Sequence, residues 1–492
     1  MNIRAFLGQT LLLCALLWLV WRALRWFRDR DPLVWRVVAF GFLVRSLGGV
    51  AAFFISYFQV PAFRGYILRE GVWFFARDAA LYFRWAEWFE RRSFSDIVVT
   101  SAQIPSASYI QVLAVFCAMF GLVTSVAILI NLITYLGTCA VITNWHGSRE
   151  PVEKSSIAAL VFIAMSPSWI LWSTQPLKDP MFAFLLVVVA WTLAEWARLF
   201  ARDSVDWGRV SVVGAVFVLS LAFVTGVRWY FGVLTLAAAV FFHLLRIIAR
   251  RDFRPAAVLS AALVLVIAGQ VLPYWGGVYV PRVIRGVLTL GVDSQRGQVF
   301  RTLDEHRRGF ETTDARTQVR SGPVVRSLIA DEVDDVVAKP PNAAQNRRGS
   351  MAETNAARGF LVGGLSMVCP RFIGQPLGLF EIAGGKGLWW FADADTLFFD
   401  GMIVIVAAML WRNRKSGILK DPLVVTMIVF SVSVAGLLAY VVTNFGTLMR
   451  LRMLVFVFLA LLPVAASAAI REEKRKGYHS FETGSPEEAA AE

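Results

Sequence analysis

The sequence predicts an all-α polytopic membrane protein of about eleven transmembrane helices, with interfacial amphipathic helices and a long extramembrane segment. Three observations predict it. The 492-residue chain is 57% hydrophobic and 17% charged, with a mean hydropathy of +0.60, a balance that excludes an ordinary soluble domain. Apolar runs recur at the roughly 17 to 25 residues needed to cross a bilayer. Lys and Arg crowd the short connectors between those runs, as they do in cytoplasmic loops of membrane proteins.

The runs begin near Gly8, Val34, Met119, Ile157, Pro180, Val210, Trp229, Ala256, Thr396, Pro422 and Met453. The first is read as a retained helix, because no small-residue cleavage site precedes WLVWRALRWFRDR. Residues 1–32 therefore form an extra helix with a basic connector, and 33–273 a transmembrane core with its first external loop at 59–108. Residues 274–393 form an external, re-entrant-like segment, 394–470 the C-terminal helices and 471–492 a cytoplasmic tail. The basic connectors at 22–36, 197–209, 246–254, 412–420 and 471–477 share one side if 109–143 crosses once, as a long tilted span with an interfacial lead-in. Two short crossings split at Gly121 would place every later basic connector outside, so the single crossing is preferred. The formal charge of +14 then reflects cytoplasmic loops and attraction to anionic lipid, not nucleic acid.

This scheme puts the unexplained polar loops on the external face. In the first, RDAALYFRWAEWFERR places Leu81, Tyr82, Trp85, Trp88 and Phe89 at helical spacing, which reads as an amphipathic helix in the membrane interface. Asp78 at its start is either a cap favoured by the helix dipole or a catalytic base at the membrane surface. In SPSWILWSTQPLKDPMFAF, Lys178 and Asp179 interrupt two apolar runs. They are either a hairpin-tip ion pair, worth about 0–1 kcal/mol if exposed, or contacts for an anion and for a cation or hydroxyl. Arg228 in TGVRWYFG is costly unless it is paired or snorkels to the headgroups. Arg450 and Arg452 in NFGTLMRLR break the positive-inside bias, which points to phosphate binding. Residues 304–350 read as partly flexible, and 359–391 as membrane-surface or re-entrant structure. No HExxH, GxSxG, CxxC or P-loop pattern occurs, so zinc-hydrolase, serine-nucleophile and nucleotide-driven-pump signals are absent from the sequence.

Five stretches, RDAALYFRWAEWF, YIQVLAVFCAMFGLVTSVAILINLI, SPSWILWSTQPLKDPMFAF, EHRRGF and NFGTLMRLR, together give a chain that resembles the GT-C superfamily of integral-membrane glycosyltransferases over about residues 34–453. Within it the likeness is to bacterial envelope-polysaccharide members that use polyprenyl-phosphate sugars. Ala79 stands where better-known members carry a second acidic residue after the loop Asp. The resemblance implies a GT-C-like bundle in the bacterial cytoplasmic (inner) membrane, with an external, periplasmic active face and a cytoplasmic C-terminus. It implies transfer of a sugar or oligosaccharide to a glycan, lipid or protein acceptor. By position, Asp78 would be the base, and Lys178, Arg228, Arg450 and Arg452 would neutralise the lipid-phosphate leaving group. Asp179 would orient substrate or hold a divalent cation such as Mg or Mn, and Tyr82, His306, Arg307 and Arg308 would face the acceptor. A lipid-phosphate sugar already has a good leaving group, so a base, cations and alignment suffice. Two alternatives stand beside this: an envelope polysaccharide polymerase or ligase, and a lipid or glycolipid transporter with related halves or discontinuous helices near the bilayer midplane.

Overall fold

The structure, a computed structural model, describes residues 3–69, 71–90, 106–121, 123–147, 150–201, 204–250, 254, 258, 319–321, 360–382, 389–442 and 445–482. Helices dominate. In chain order they are α1 (Ile3–Arg30), α2 (Pro32–Tyr57), α3 (Arg77–Glu90), α4 (Ala107–Phe120), α5 (Val126–Thr143), α6 (Lys154–Met165), α7 (Pro167–Ser173), α8 (Asp179–Leu199), α9 (Trp207–Val227) and α10 (Trp229–Arg250). Helical residues 360–368 form α11, followed by α12 (Arg371–Gly374), α13 (Trp389–Arg412), α14 (Pro422–Val441) and α15 (Phe445–Glu482). The described strands are two short antiparallel pairs, Ile67–Arg69 with Val72–Trp73 and Val319–Ser321 with Phe380–Ile382.

Among the described residues nine helices are long and apolar enough to cross a membrane, and α6 with α7 makes a further span bent by 56°. They account for every apolar run the sequence marks except that at Ala256, which lies outside the described residues. An Asp followed by Pro starts both α2 and α14. Asp31 Oδ1 accepts from Leu33 N and Val34 N at 2.6 and 3.0 Å, and Asp421 Oδ1 from Leu423 N and Val424 N at 2.9 and 3.1 Å. Each satisfies N–H groups that a helix start leaves unpaired, while proline at the first position has none to lose.

The helix ends sort into two faces. On one, Arg30 donates to the carbonyls of Gly147 and Glu150 at 3.2 and 2.9 Å, Arg471 pairs with Glu150 and Glu153, and Ser155 bonds Ser467 at 2.8 Å. Glu195 is held by Arg198 and Arg209, and Arg246 reaches the Ala197 carbonyl. The basic connectors thus meet one another. The opposite face gathers the ends of α2, α7 and α9 with the starts of α3, α4, α5, α8 and α15.

Two expectations are corrected here. Residues 109–143 are not one long tilted helix: the chain breaks at Gly121, whose φ of +93° is a conformation glycine adopts without steric penalty. The 14-residue α4 is about 21 Å long, too short for a hydrocarbon core of roughly 30 Å. Ser106 before α4 and Asn131 near the start of α5 both reach the 173–179 tip, Asn131 donating to the carbonyls of Ser173 and Gln175 at 3.0 and 2.7 Å. One crossing, α5, therefore leaves that face. The second correction concerns α3, which buries Ala79, Tyr82, Phe83, Ala86 and Phe89 and leaves Leu81 exposed. It packs on α4, with the Tyr82 and Tyr109 rings 5.4 Å apart, so one face of the helix is docked on the protein.

The α6–α7 break at Ser166–Pro167 leaves carbonyls and N–H groups unpaired inside the bundle. Arg45 of α2, fully buried, donates to the carbonyls of Ile163 at 2.6 Å and Ala164 at 3.0 Å, and its guanidinium stacks over Tyr135 at 4.2 Å. Across the break, Asp395 Oδ1 accepts from Ser168 N at 2.9 Å. One buried charge thus closes each broken end. Arg45→Ala strips both carbonyls of their donor and is expected to lower stability by about 1–3 kcal/mol. A thermal midpoint in detergent equal to that of the parent chain would contradict the capping role.

Candidate functional site

Asp179 begins the third Asp-Pro helix start, and here the pattern changes. Its carboxylate makes no cap. Oδ1 accepts from Arg228 Nη2 at 2.6 Å and Oδ2 from Arg450 Nε at 2.6 Å, and the carboxylate itself is fully buried. Arg450 then reaches on, its Nη1 donating to Asp78 Oδ2 at 2.6 Å. A chain Arg228–Asp179–Arg450–Asp78 results, running from the buried start of α8 to α3, where the Asp78 side chain is 51% exposed and Arg450 12%.

Local sequence explains each position. α9 ends at Val227, where Arg228 turns extended with φ −148°, so its guanidinium points back along the bundle before α10 begins. Gly226 sits so close to the Ser108 side chain that a Cβ there would collide with it; glycine lets α9 approach α4. Arg450 lies inside α15, which starts at Phe445 and not near Met453, so its direction is set by helix phase. Lys178 precedes Asp179, and its Nζ donates to Ser106 Oγ and lies 5.4 Å from the Tyr82 ring.

Three cations and two carboxylates therefore share the site. Burial pushes Asp78 upward, but bonded Arg450 and nearby Lys178 outweigh it and hold the carboxyl below its ordinary value. For Lys178, burial together with Arg228 and Arg450 overcomes the pull of Asp179 and Asp78 and brings the amine down to about 7. Burial, reinforced by Asp78, raises the Tyr82 hydroxyl to about 12. Arg450 Nη2 is buried without a hydrogen-bond partner among the described residues.

Of the residues singled out by sequence, Asp78, Tyr82, Lys178, Asp179, Arg228 and Arg450 come together. Arg452 does not. It is buried on another side of α15, paired with Asp395 and donating to the Met367 carbonyl at 2.6 Å and Thr396 Oγ1 at 3.0 Å. Two residues apart on a helix is a turn of about 200°, which separates it from Arg450. His306, Arg307 and Arg308 lie outside the described residues. Among the described residues Asp179 does not fit as a divalent-cation ligand: both its oxygens hold guanidinium groups. Among the described residues, no three His, Cys, Asp or Glu side chains gather as a metal site. Sequence reasoning missed Ser106 and Tyr109, although a serine directly before an apolar run is a recognisable helix-start signal.

No protein-family model, curated protein sequence or solved structure matches this chain.

Asp179→Asn takes the paired carboxylate from the buried Arg228 and leaves Arg450 with Asp78 alone, and is expected to cost about 3–5 kcal/mol. It should appear as a lower unfolding midpoint or loss of monodisperse protein in detergent, and wild-type behaviour would contradict the anchoring role.

Proposed function

We propose that the chain is an integral-membrane glycosyltransferase that moves a sugar or oligosaccharide from a polyprenyl-phosphate carrier to a glycan, lipid or protein acceptor. In this reading the face bearing Asp179 is the external face of a bacterial cytoplasmic membrane. The observation that carries it is the guanidinium pair anchored on Asp179, with Arg450 Nη2 lacking a hydrogen-bond partner among the described residues. Guanidiniums fixed by a buried carboxylate are pre-oriented, so they stabilise phosphate charge without reorganising as it develops. The helix starts at Arg77, Ala107 and Asp179 are joined through Asp78–Arg450, Ser106–Lys178 and Asp179–Arg450, and their dipoles add positive potential. Phosphate oxygens binding Arg450 would compete with Asp78 for Nη1, so donor binding and freeing of that carboxylate are coupled. An envelope polysaccharide polymerase or ligase would use the same cations with a larger acceptor.

A transporter is favoured by one observation, the 56° break between α6 and α7, since discontinuous helices line many transport sites. Here Arg45 and Asp395 already occupy the broken ends, which leaves those groups satisfied by protein and not offered to cargo. The transferase reading is therefore preferred.

Purified chain in nanodiscs, supplied with synthetic polyprenyl-phosphate sugars and a hydroxyl acceptor, is expected to form glycosylated product. Arg450→Gln should lower kcat/KM by about 100- to 1,000-fold. Movement of the intact carrier across proteoliposomes with no product would favour transport instead. Sidedness is checked in a cysteine-free background: Ala62→Cys is expected to react with an impermeant thiol reagent from outside, and Lys415→Cys only after lysis. The reverse pattern would place the site on the cytoplasmic side and refute an external transferase.

A further inference from the structure

The carboxylate the resemblance casts as base, Asp78, is held by Arg450, and Asp179 is held by two guanidiniums. Lys178 makes no ion pair with a carboxylate among the described residues, and its amine is spent on a hydroxyl, Ser106 Oγ. Resting on the transferase reading above, we propose that Lys178, acting through Ser106, takes the proton from the acceptor hydroxyl, which makes Ser106 a further catalytic residue of the site.

Three features of Ser106 point this way. It is buried. It stands at the cap position of α4, yet its hydroxyl caps nothing and is turned toward Lys178 instead, although serine there ordinarily bonds the helix N–H groups. Its backbone is left-handed, with φ +66° and ψ +33°, a conformation uncommon outside glycine, and such backbone strain clusters at functional sites.

Lys178 is faced by Asp78 and Tyr82 from α3, Ser106 before α4, and its neighbour Asp179. Arg228 lies beside α10 and Arg450 on α15. The two guanidiniums and burial outweigh the carboxylates, so a large share of the amine is neutral near pH 7 and carries a lone pair. A base matched to the working pH is the most effective kind. Serine–lysine pairs of this geometry activate hydroxyls on unrelated folds.

The acceptor oxygen bonds to the anomeric carbon as its O–H bond breaks, and the anomeric C–O bond to phosphate breaks with its electron pair retained on the phosphate oxygen. With the amine neutral, the Ser106 hydroxyl rotates to donate to the Nζ lone pair, so that the acceptor proton passes to Ser106 Oγ while the serine's own proton passes to Lys178 Nζ. The ammonium forms as the departing phosphate gains one negative charge, beside the Tyr82 ring, whose face also favours a cation. A lysine that only clamped phosphate would keep its positive charge for that task as arginine. A proton carrier would be lost, since arginine does not give up its proton in proteins.

The test uses the full chain in nanodiscs with a synthetic polyprenyl-phosphate sugar. Transfer by wild type is expected to rise with pH through about 7 and level off above, because only the neutral amine accepts the proton. Lys178→Arg should lower kcat by about 100-fold or more with donor KM little changed. Ser106→Ala should lower kcat by about tenfold or more, with Ser106→Thr restoring most of it. A readout free of activity is trace acetylation of Lys178 by acetic anhydride across pH, followed by mass spectrometry, with half-maximal reactivity expected near neutrality. A chain that transfers sugar but tolerates Lys178→Arg, or whose Lys178 acetylates only in the ordinary lysine range, overturns this proposal alone. A wild type that transfers no sugar at any pH overturns the transferase reading and this proposal with it.

Discussion

Asp179 carries a full negative charge in a fully buried position, and it is tolerated there because Arg228 and Arg450 each supply a hydrogen-bonded positive charge at 2.6 Å. An isolated buried carboxylate would cost several kcal/mol, so this carboxylate fixes where its partners must be. α8, the α9–α10 junction and α15 are thereby drawn to one point, and through Arg450 the extramembrane helix α3 is drawn there too. The contrast with Asp31 and Asp421 is instructive. The same Asp-Pro dipeptide starts all three helices, yet only Asp179 forgoes capping for long-range ion pairs.

A second set of buried charges does different work. Arg45, Asp395 and Arg452 close the break between α6 and α7 and tie it to α2, α13 and α15. That break aims α7 so that the tip carrying Lys178 and Asp179 arrives beside Asn131 and Arg450. The tip itself is pinned by Asn131 and by Gln175 Oε1, which accepts from Trp73 N at 3.2 Å. Framework charges and site charges thus sit on the same helix, Arg452 in the first role and Arg450 in the second.

Much of this was legible because charge is expensive among apolar residues. Lys178, Asp179, Arg228 and Arg450 stand out in one dimension for that reason, and the spans follow from run length and basic connectors. Pairing was not legible, since it depends on helix phase and on contacts hundreds of residues apart. Placing the last helix at Met453 and not Phe445 hid the phase that sends Arg450 and Arg452 to different neighbours. Arg45 lay within a run apolar enough to mask it, and its partners are backbone carbonyls that no side-chain pattern reveals. Gly121 was a visible candidate break, but one glycine in an apolar run does not say whether the helix continues.

Asp179 holds Arg228 and Arg450 in place, and in the proposed function that pair is a ready-made site for lipid phosphate. The measurement that tests it most directly is binding of a short-chain prenyl monophosphate to the purified chain in nanodiscs, compared with the same prenyl alcohol and with Arg450→Gln. Saturable binding of the phosphate is expected, lost with the alcohol and weakened at least tenfold, about 1.4 kcal/mol, in the variant. Equal binding of phosphate and alcohol, or a variant that binds as tightly as the parent chain, would contradict it.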